Sequence, residues 1–355
     1  MVDLFEPYQI REMLVRNRFM RSATTSAFAD EGGVVGDAII RVYERLSRGG
    51  VGLIAKGHLY VADNGKAHDG MAGISSDRHI PGLRRLTDAV HRHGGRIVAQ
   101  INHAGVVHRL DRAGPSEYAE ADWSAREMTV DEVDAAIQAF GDAAERAMQA
   151  GFDGVQIHGA HGYLISQFLS RLTNRRTDAW GGSLEKRMRF LMEVYDEVRG
   201  RVGNEPVLIK TNCDDFSPDG FAVEDSVKVA KALADRGIDL IEVSGGGRGE
   251  VNELRARAKH SDPAYSELAF AGHAEKIKKA IGPTPMALVN GFRQLKTMQL
   301  AVDRGLTDMV SMSRPLIREP DLVKKLEAGQ AEAGCIRCDA CRSEFGKSMM
   351  RCLAE

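Results

Sequence analysis

The stretch Gly154–Phe190, GVQIHGAHGYLISQFLSRLTNRRTDAWGGSLEKRMRF, decides how the rest of the chain is read. It begins with a short apolar run, Gly154-Val155-Gln156-Ile157, which reads as a buried strand. His158, His161 and Tyr163 follow within one loop length. A polar segment rich in Asn, Arg and Gly then leads to an amphipathic helix that starts near Glu185. Two imidazoles and a phenol at the carboxyl end of a strand suit a place where a substrate oxygen is held and a proton delivered. A zinc pair or two satisfied core histidines is the competing reading of the same spacing.

Working outward, one phrase recurs: a helix, a glycine, a short gap often ending in Asp, then an apolar run. It reads SRGGVGLIA from Ser47, AGFDGVQIH from Ala150, RGIDLIEVS from Arg236 and RGLTDMVSM from Arg304. Glycine ends each helix because the cap favours a left-handed backbone. A continuous, bounded apolar run is what a parallel strand covered on both faces requires. Arg18–Ser22, Arg96–Ile101, Val207–Thr211 and Pro285–Val289 bring the count of strands to eight. Thr129 and Glu132 stand at capping-box spacing before an apolar stripe through Val133, Ile137, Phe140, Ala144 and Ala147. Similar stripes cover residues 81–93, 186–201, 223–236, 270–281 and 294–304. The expected fold class is α/β, a closed (β/α)8 TIM barrel over residues 1–330 with a short cysteine-containing extension over 331–355. A doubly wound open sheet is the alternative, disfavoured because no G-x-G-x-x-G follows the first strand.

A chain of 355 residues can bury a barrel core, and the balance of 48 basic against 50 acidic residues implies no nucleic-acid or membrane partner. No run of 18 apolar residues occurs, and the N-terminus is charged from Asp3 onward, so a cytoplasmic protein is expected. Of five cysteines, four crowd together as Cys335-x2-Cys338-x2-Cys341-x10-Cys352. Four thiolates at that spacing suit a 4Fe–4S cluster, with zinc as the alternative. Arg337, Arg342, Lys347 and Arg351 could offset thiolate charge or form a solvated face. Cys213 reads as a packing thiol.

In a barrel, strand carboxyl ends form the active face. Those ends deliver Ser22-Ala23-Thr24-Thr25, Lys56-Gly57-His58, Gln100 with Asn102-His103, His158 and His161, Lys210, Ser244-Gly245-Gly246-Gly247, Asn290-Gly291, and Ser311-Met312-Ser313-Arg314. The glycines after strands six and seven, with Ser-Arg after strand eight, fit the phosphate site usual at that corner. A phosphorylated cofactor across the barrel mouth follows.

Motifs along the whole chain resemble the old yellow enzyme family of FMN-dependent NAD(P)H oxidoreductases: NRFMRSATT at Asn17, HGAHGYL at His158, NRRTDAWGGSLEKRMRF at Asn174 and DMVSMSRPLIREP at Asp308. The subgroup it resembles includes the barrel domain of 2,4-dienoyl-CoA reductase and trimethylamine dehydrogenase, which carry a cysteine cluster after the barrel. The resemblance implies FMN as cofactor and NADH or NADPH as hydride donor. It implies that Gln100 meets the flavin pyrimidine edge and Lys210 its N1 and O2. Thr25 would tune the flavin near O4, Ala23 would make only a backbone contact, and Ser22, Thr24, Gly57, Gly245 and Gly246 would line the flavin. Asn290, Gly291, Ser313 and Arg314 would hold the phosphate. His158 and His161 would hold the substrate carbonyl, and Tyr163 would protonate the α-carbon. The larger relatives' nucleotide-binding domain is expected to be absent, because three residues follow Cys352.

The implied activity is reduction of the C=C bond of α,β-unsaturated carbonyl compounds. An amine dehydrogenase or demethylase, and a non-catalytic flavin- or metal-carrying subunit of a redox complex, are the alternatives. The expected partner is a small-molecule substrate, and a homo-oligomer is left open. The segments Ala104–Met128 and Gly245–Ala269 are too long for simple βα loops and should govern the substrate. They hold His108, Arg109 and Tyr118, then Arg248, Arg255, Arg257, His260 and Tyr265, which suit an acidic or CoA-like substrate or mere solvation. His58 has no assigned role.

Overall fold

The computed structural model describes residues 2–120, 122–246, 267–289, 291–341 and 350–354. Eight parallel strands close into a barrel. They are β1 (Phe19–Arg21), β2 (Leu53–Tyr60), β3 (Arg96–Asn102), β4 (Val155–Gly159), β5 (Val207–Asn212), β6 (Leu240–Ser244), β7 (Met286–Val289) and β8 (Met309–Met312). Each matches an apolar run expected from the sequence, and β8 closes on β1 through Val310–Phe19 and Ser311–Met20. The open doubly wound sheet is thereby excluded.

The helices that cover the barrel are α1 (Asp37–Arg48), α2 (Ile80–His91), α3 (Val130–Gln149), the short α4 (Leu164–Leu169), α5 (Leu184–Val202), α6 (Val223–Asp235), α7 (Ala271–Ile281) and α8 (Leu295–Asp303). The capping box before α3 forms as expected: Glu132 N–H donates to Thr129 Oγ1 at 3.2 Å, and Thr129 N–H donates to Glu132 Oε2 at 2.9 Å. One large apolar core lies between strands and helices. A second lies inside the barrel, formed by Met20, Leu53, Ala55, Val98, Leu208, Leu240, Ala287 and Met309.

Strand alternation turns that inner core into a floor. Side chains two positions apart share a face, so the residues above Met20, Val98, Leu208, Leu240 and Met309 are Ser22, Gln100, Lys210, Glu242 and Ser311. Below it, a hairpin of Tyr8–Ile10 and Met13–Val15 plugs the barrel with Ile10, Met13 and Val15. The hairpin was not foreseen. Nor was the three-stranded sheet (Ala113–Gly114, Tyr118–Glu120, Trp123–Glu127) inside the long segment after β3. Among the described residues, no helix is long and apolar enough to cross a membrane.

Candidate active site

The polar layer above the floor is hydrogen-bonded from end to end. Gln100 Nε2 donates to Gln156 Oε1 at 2.8 Å, and Gln156 Nε2 donates to Glu242 Oε2 at 2.9 Å. The other Glu242 oxygen accepts from Ser311 Oγ at 2.7 Å and faces Lys210 Nζ at 3.4 Å. Lys210 also donates to Ser22 Oγ at 2.5 Å. Every member is buried. Register explains the pairing, since Lys210 stands beside Glu242 and Gln100 beside Gln156. A buried carboxylate needs such partners, because uncompensated burial of a charge is costly. Gln156 and Glu242 were given no role by the sequence, and Ser311 was placed only among the strand ends of the active face. The signal existed: Glu242 and Lys210 interrupt apolar runs that are covered on both faces.

Above this layer, aromatic and imidazole rings converge. The His158 ring lies 5.4 Å from His161, 5.0 Å from Tyr163 and 6.0 Å from His58. Tyr163 lies 5.1 Å from His58. The turn between β4 and α4 positions these groups through two residues in the left-handed region, His161 (φ 62°) and Gly162 (φ 73°). Left-handed backbone at a non-glycine residue is uncommon and clusters at functional sites. Here the His161 N–H donates to Asn212 Oδ1 at 3.2 Å, and its Nε2 lies 2.8 Å from Ser244 Oγ. Burial pushes His158 well below the ordinary imidazole value, with the charges of His161, His58 and Lys210 acting the same way. His158 is therefore a neutral ring at pH 7. Its Nδ1 is buried without a partner, as are His58 Nε2 and Asn102 Oδ1.

The remaining residues fall around the rim. Thr25 Oγ1 lies 3.2 Å from His68 Nε2, and half-buried Ala23 packs on the inner core. Thr24 Oγ1 and Ser313 Oγ are 2.8 Å apart, tying the end of β1 to the end of β8. Gly57 admits no side chain, because a Cβ there would stand 2.1 Å from Thr24 O. Gly245 is buried against Phe216 and Phe270, while Gly246 (φ 94°) and Gly291 (φ 74°) turn the loops after β6 and β7. Arg314, expected at the phosphate, has its Nη1 2.6 Å from Asp339 Oδ1 of the extension. Asn290, Gly247, Arg248, Arg255, Arg257, His260, Tyr265, Arg342 and Lys347 lie outside the described residues.

Cys335, Cys338, Cys341 and Cys352 all line one small cavity together with Arg314, Arg337 and Asp339. The expected four-thiolate ligand set is not assembled there. Among the described residues, no group of three or more His, Cys, Asp or Glu side chains is placed to hold a metal ion. Each two-residue gap contains a left-handed residue, Arg337 (φ 57°) or Asp339 (φ 60°), and Cys338 faces solvent while Cys335 and Cys341 are buried. Burial raises the Cys341 thiol above its ordinary value, and Cys352 Sγ accepts from Arg318 Nη1 at 3.5 Å. Cys213 is fully buried and its thiol is pushed up by burial, in keeping with packing.

A closed parallel barrel with a polar layer and a ring cluster at the carboxyl ends of its strands is a (β/α)8 barrel with its functional groups gathered on the usual active face. Residues 3–333 match the model of the NADH:flavin oxidoreductase / NADH oxidase family, and the chain belongs to that family. It is 37% identical over 324 residues to an NADPH dehydrogenase of Geobacillus sp. (strain WCH70), covering 89% of this chain and 91% of the relative. The fold is similar to that of 2-naphthoyl-CoA reductase in complex with 2-naphthoyl-CoA, with TM-score 0.88, 30% identity, and coverage of 98% of this chain and 56% of the other. It is also similar to the old yellow enzyme homologue from Zymomonas mobilis, with TM-score 0.77, 27% identity, and coverage of 94% and 95%. The chain spans about half the length of several curated relatives that it matches.

Proposed function

We propose that this chain is an FMN-dependent, NAD(P)H-driven reductase of the C=C bond of α,β-unsaturated carbonyl compounds. The observation that carries this reading is the buried, unpartnered Nδ1 of neutral His158, one ring contact away from Tyr163. A buried polar atom left without a protein partner costs free energy, and a ligand oxygen would supply the partner.

FMN, when bound, supplies hydride transfer from NAD(P)H to the substrate. The residues present fit it. Gln100 keeps an acceptor oxygen and a second N–H beyond its bond to Gln156. Lys210, fixed by Ser22 and Glu242, would offer a cation to offset negative charge on the reduced flavin. Gly57, Thr24, Thr25, Ser22 and Ala23 would line it. Gly245, Gly246, Asn290, Gly291, Ser313 and Arg314 are the proposed phosphate corner.

His158 and His161 hold the carbonyl oxygen and draw electron density from the alkene. As a neutral ring, His158 polarises by hydrogen bonding and has no surplus proton to give. Proton delivery to the α-carbon therefore falls to Tyr163. The barrel, residues 1–330, carries this chemistry. We read 331–355 as an extension, with a cluster or zinc at its four cysteines as a subsidiary proposal: the four line one cavity, and metal binding would have to draw them into a ligand set. Metal analysis of anaerobically purified protein tests it, and four freely titrating thiols without metal would reject it.

Relatives include both NADPH dehydrogenases and an N,N-dimethylglycine/sarcosine dehydrogenase. Neutral N–H donors suit a carbonyl oxygen better than an amine nitrogen. Steady-state assays with NADH or NADPH against cyclohexenone, and with methylamines against an artificial acceptor, separate the two. Turnover of the enone is expected, and turnover of amines alone would overturn the reading.

A further inference from the structure

The extension grips both loops of the proposed phosphate corner. After β7, Ala333 N–H donates to Arg293 O and Leu295 N–H donates to Ala331 O, each at 2.9 Å. Arg293 Nη2 lies 2.7 Å from Glu332 Oε1. After β8, Arg314 Nη1 lies 2.6 Å from Asp339 Oδ1. Each loop thus presents an arginine, and each arginine meets a carboxylate of the extension. The two pairs differ in depth. The Glu332 side chain is 45% exposed and that of Asp339 only 20%, so water screens the Arg314 pair less.

Arg314 belongs to two places at once. It follows Ser313, whose hydroxyl meets Thr24 at the barrel mouth, and it lines the cavity of the four cysteines. Its guanidinium carries one positive charge. A phosphate monoester brings about two negative charges at pH 7. With Asp339 in place, carboxylate and phosphate would face each other across a single cation, and like charges that close repel. The turn that delivers Asp339 is itself uncommon, with Arg337 (φ 57°) and Asp339 (φ 60°) left-handed on either side of Cys338. The ion pair to Arg314 pins the end of that turn to the barrel.

We propose that Asp339 competes with the cofactor's phosphate for Arg314, so that FMN loading and docking of the cysteine turn oppose each other. The proposal rests on the cofactor reading above. Asp339 then acts on the phosphate and not on the flavin ring: it weakens FMN and leaves riboflavin, which has the same ring without phosphate, unaffected. Linkage is reciprocal, so phosphate bound at the corner loosens the turn from Arg337 to Asp339.

The test titrates the flavin-free full chain with FMN and with riboflavin, read by quenching of flavin fluorescence. Asp339→Asn keeps the shape and removes the charge. It should tighten FMN about tenfold and change riboflavin less than about twofold. Hydrogen exchange in residues 335–341 of the unmodified protein should quicken with saturating FMN and not with riboflavin. Melting temperature controls for folding, and the riboflavin arm controls for a general change in the site. Weaker FMN binding by Asp339→Asn would make Asp339 a support for Arg314 and overturn the competition. Equal changes for both flavins, no change for either, or the same exchange with both would also overturn it. No binding of either flavin by the unmodified protein would overturn the cofactor reading, whereas FMN binding without the Asp339 effect would overturn the competition alone.

Discussion

Two layers of the same barrel treat buried polar atoms in opposite ways. In the lower layer, Gln100, Gln156, Glu242, Lys210, Ser311 and Ser22 form a hydrogen-bonded chain, and none of their side-chain atoms is both buried and unpartnered. In the upper layer, His158, His58 and Asn102 each hold a buried nitrogen or oxygen without a partner. Satisfied polar networks rigidify and specify, whereas unsatisfied ones carry a penalty that a ligand can relieve. The contrast separates the groups that hold the site in shape from those whose partner, on the proposed function, a ligand would supply.

The largest test of that division is Tyr163→Phe in the upper layer. It should slow enone reduction by about 10²–10⁴-fold, while NAD(P)H oxidation without enone stays near the unmodified rate. Rapid-mixing kinetics of the two half-reactions would show it. Equal slowing of both would assign Tyr163 to positioning.

The lower layer predicts loss of stability before loss of chemistry. Glu242→Leu leaves Lys210 buried without its carboxylate, and breaking such a pair costs about 3–5 kcal/mol. Denaturant unfolding should show that loss together with reduced flavin retention. A variant as stable as the parent would move Glu242 out of the supporting layer.

A smaller, pH-dependent effect is expected within β2, where burial holds Lys56 at about 7. Its folded-state value lies below its unfolded one, so the unfolded chain binds more protons between about pH 7 and 10.5. Stability contributed there rises with pH, and the penalty is complete below pH 7. Relative to Lys56→Met, the unmodified protein should gain stability, on the order of a few kcal/mol, from pH 7 to pH 10. Parallel stability curves would contradict a buried, titrating Lys56.

Much of the fold was legible because its signals are local. Four strands were bounded apolar runs after a helix-ending glycine, the other four were interleaved runs of the same kind, and one of these put Lys210 at the carboxyl face. The candidate site was legible where one motif held it, at His158, His161 and Tyr163. What escaped depends on offsets between distant strands. The register shift beside His58 exists only in the pairing of β2 with β3. The engagement of Arg314 by Asp339 joins a barrel loop to the extension, and nothing in SRP or CDAC announces it. The cysteine spacing likewise describes which thiols are close in sequence, but not which way Arg337 and Asp339 turn the chain between them.

The central claim, that this barrel mouth holds FMN over the Gln100–Lys210 layer, is tested most directly by the visible spectrum and flavin content of the purified protein. A yellow protein with about one non-covalent FMN per chain, released on denaturation and rebound on refolding, is the predicted result. A colourless protein that takes up no FMN on reconstitution would contradict it.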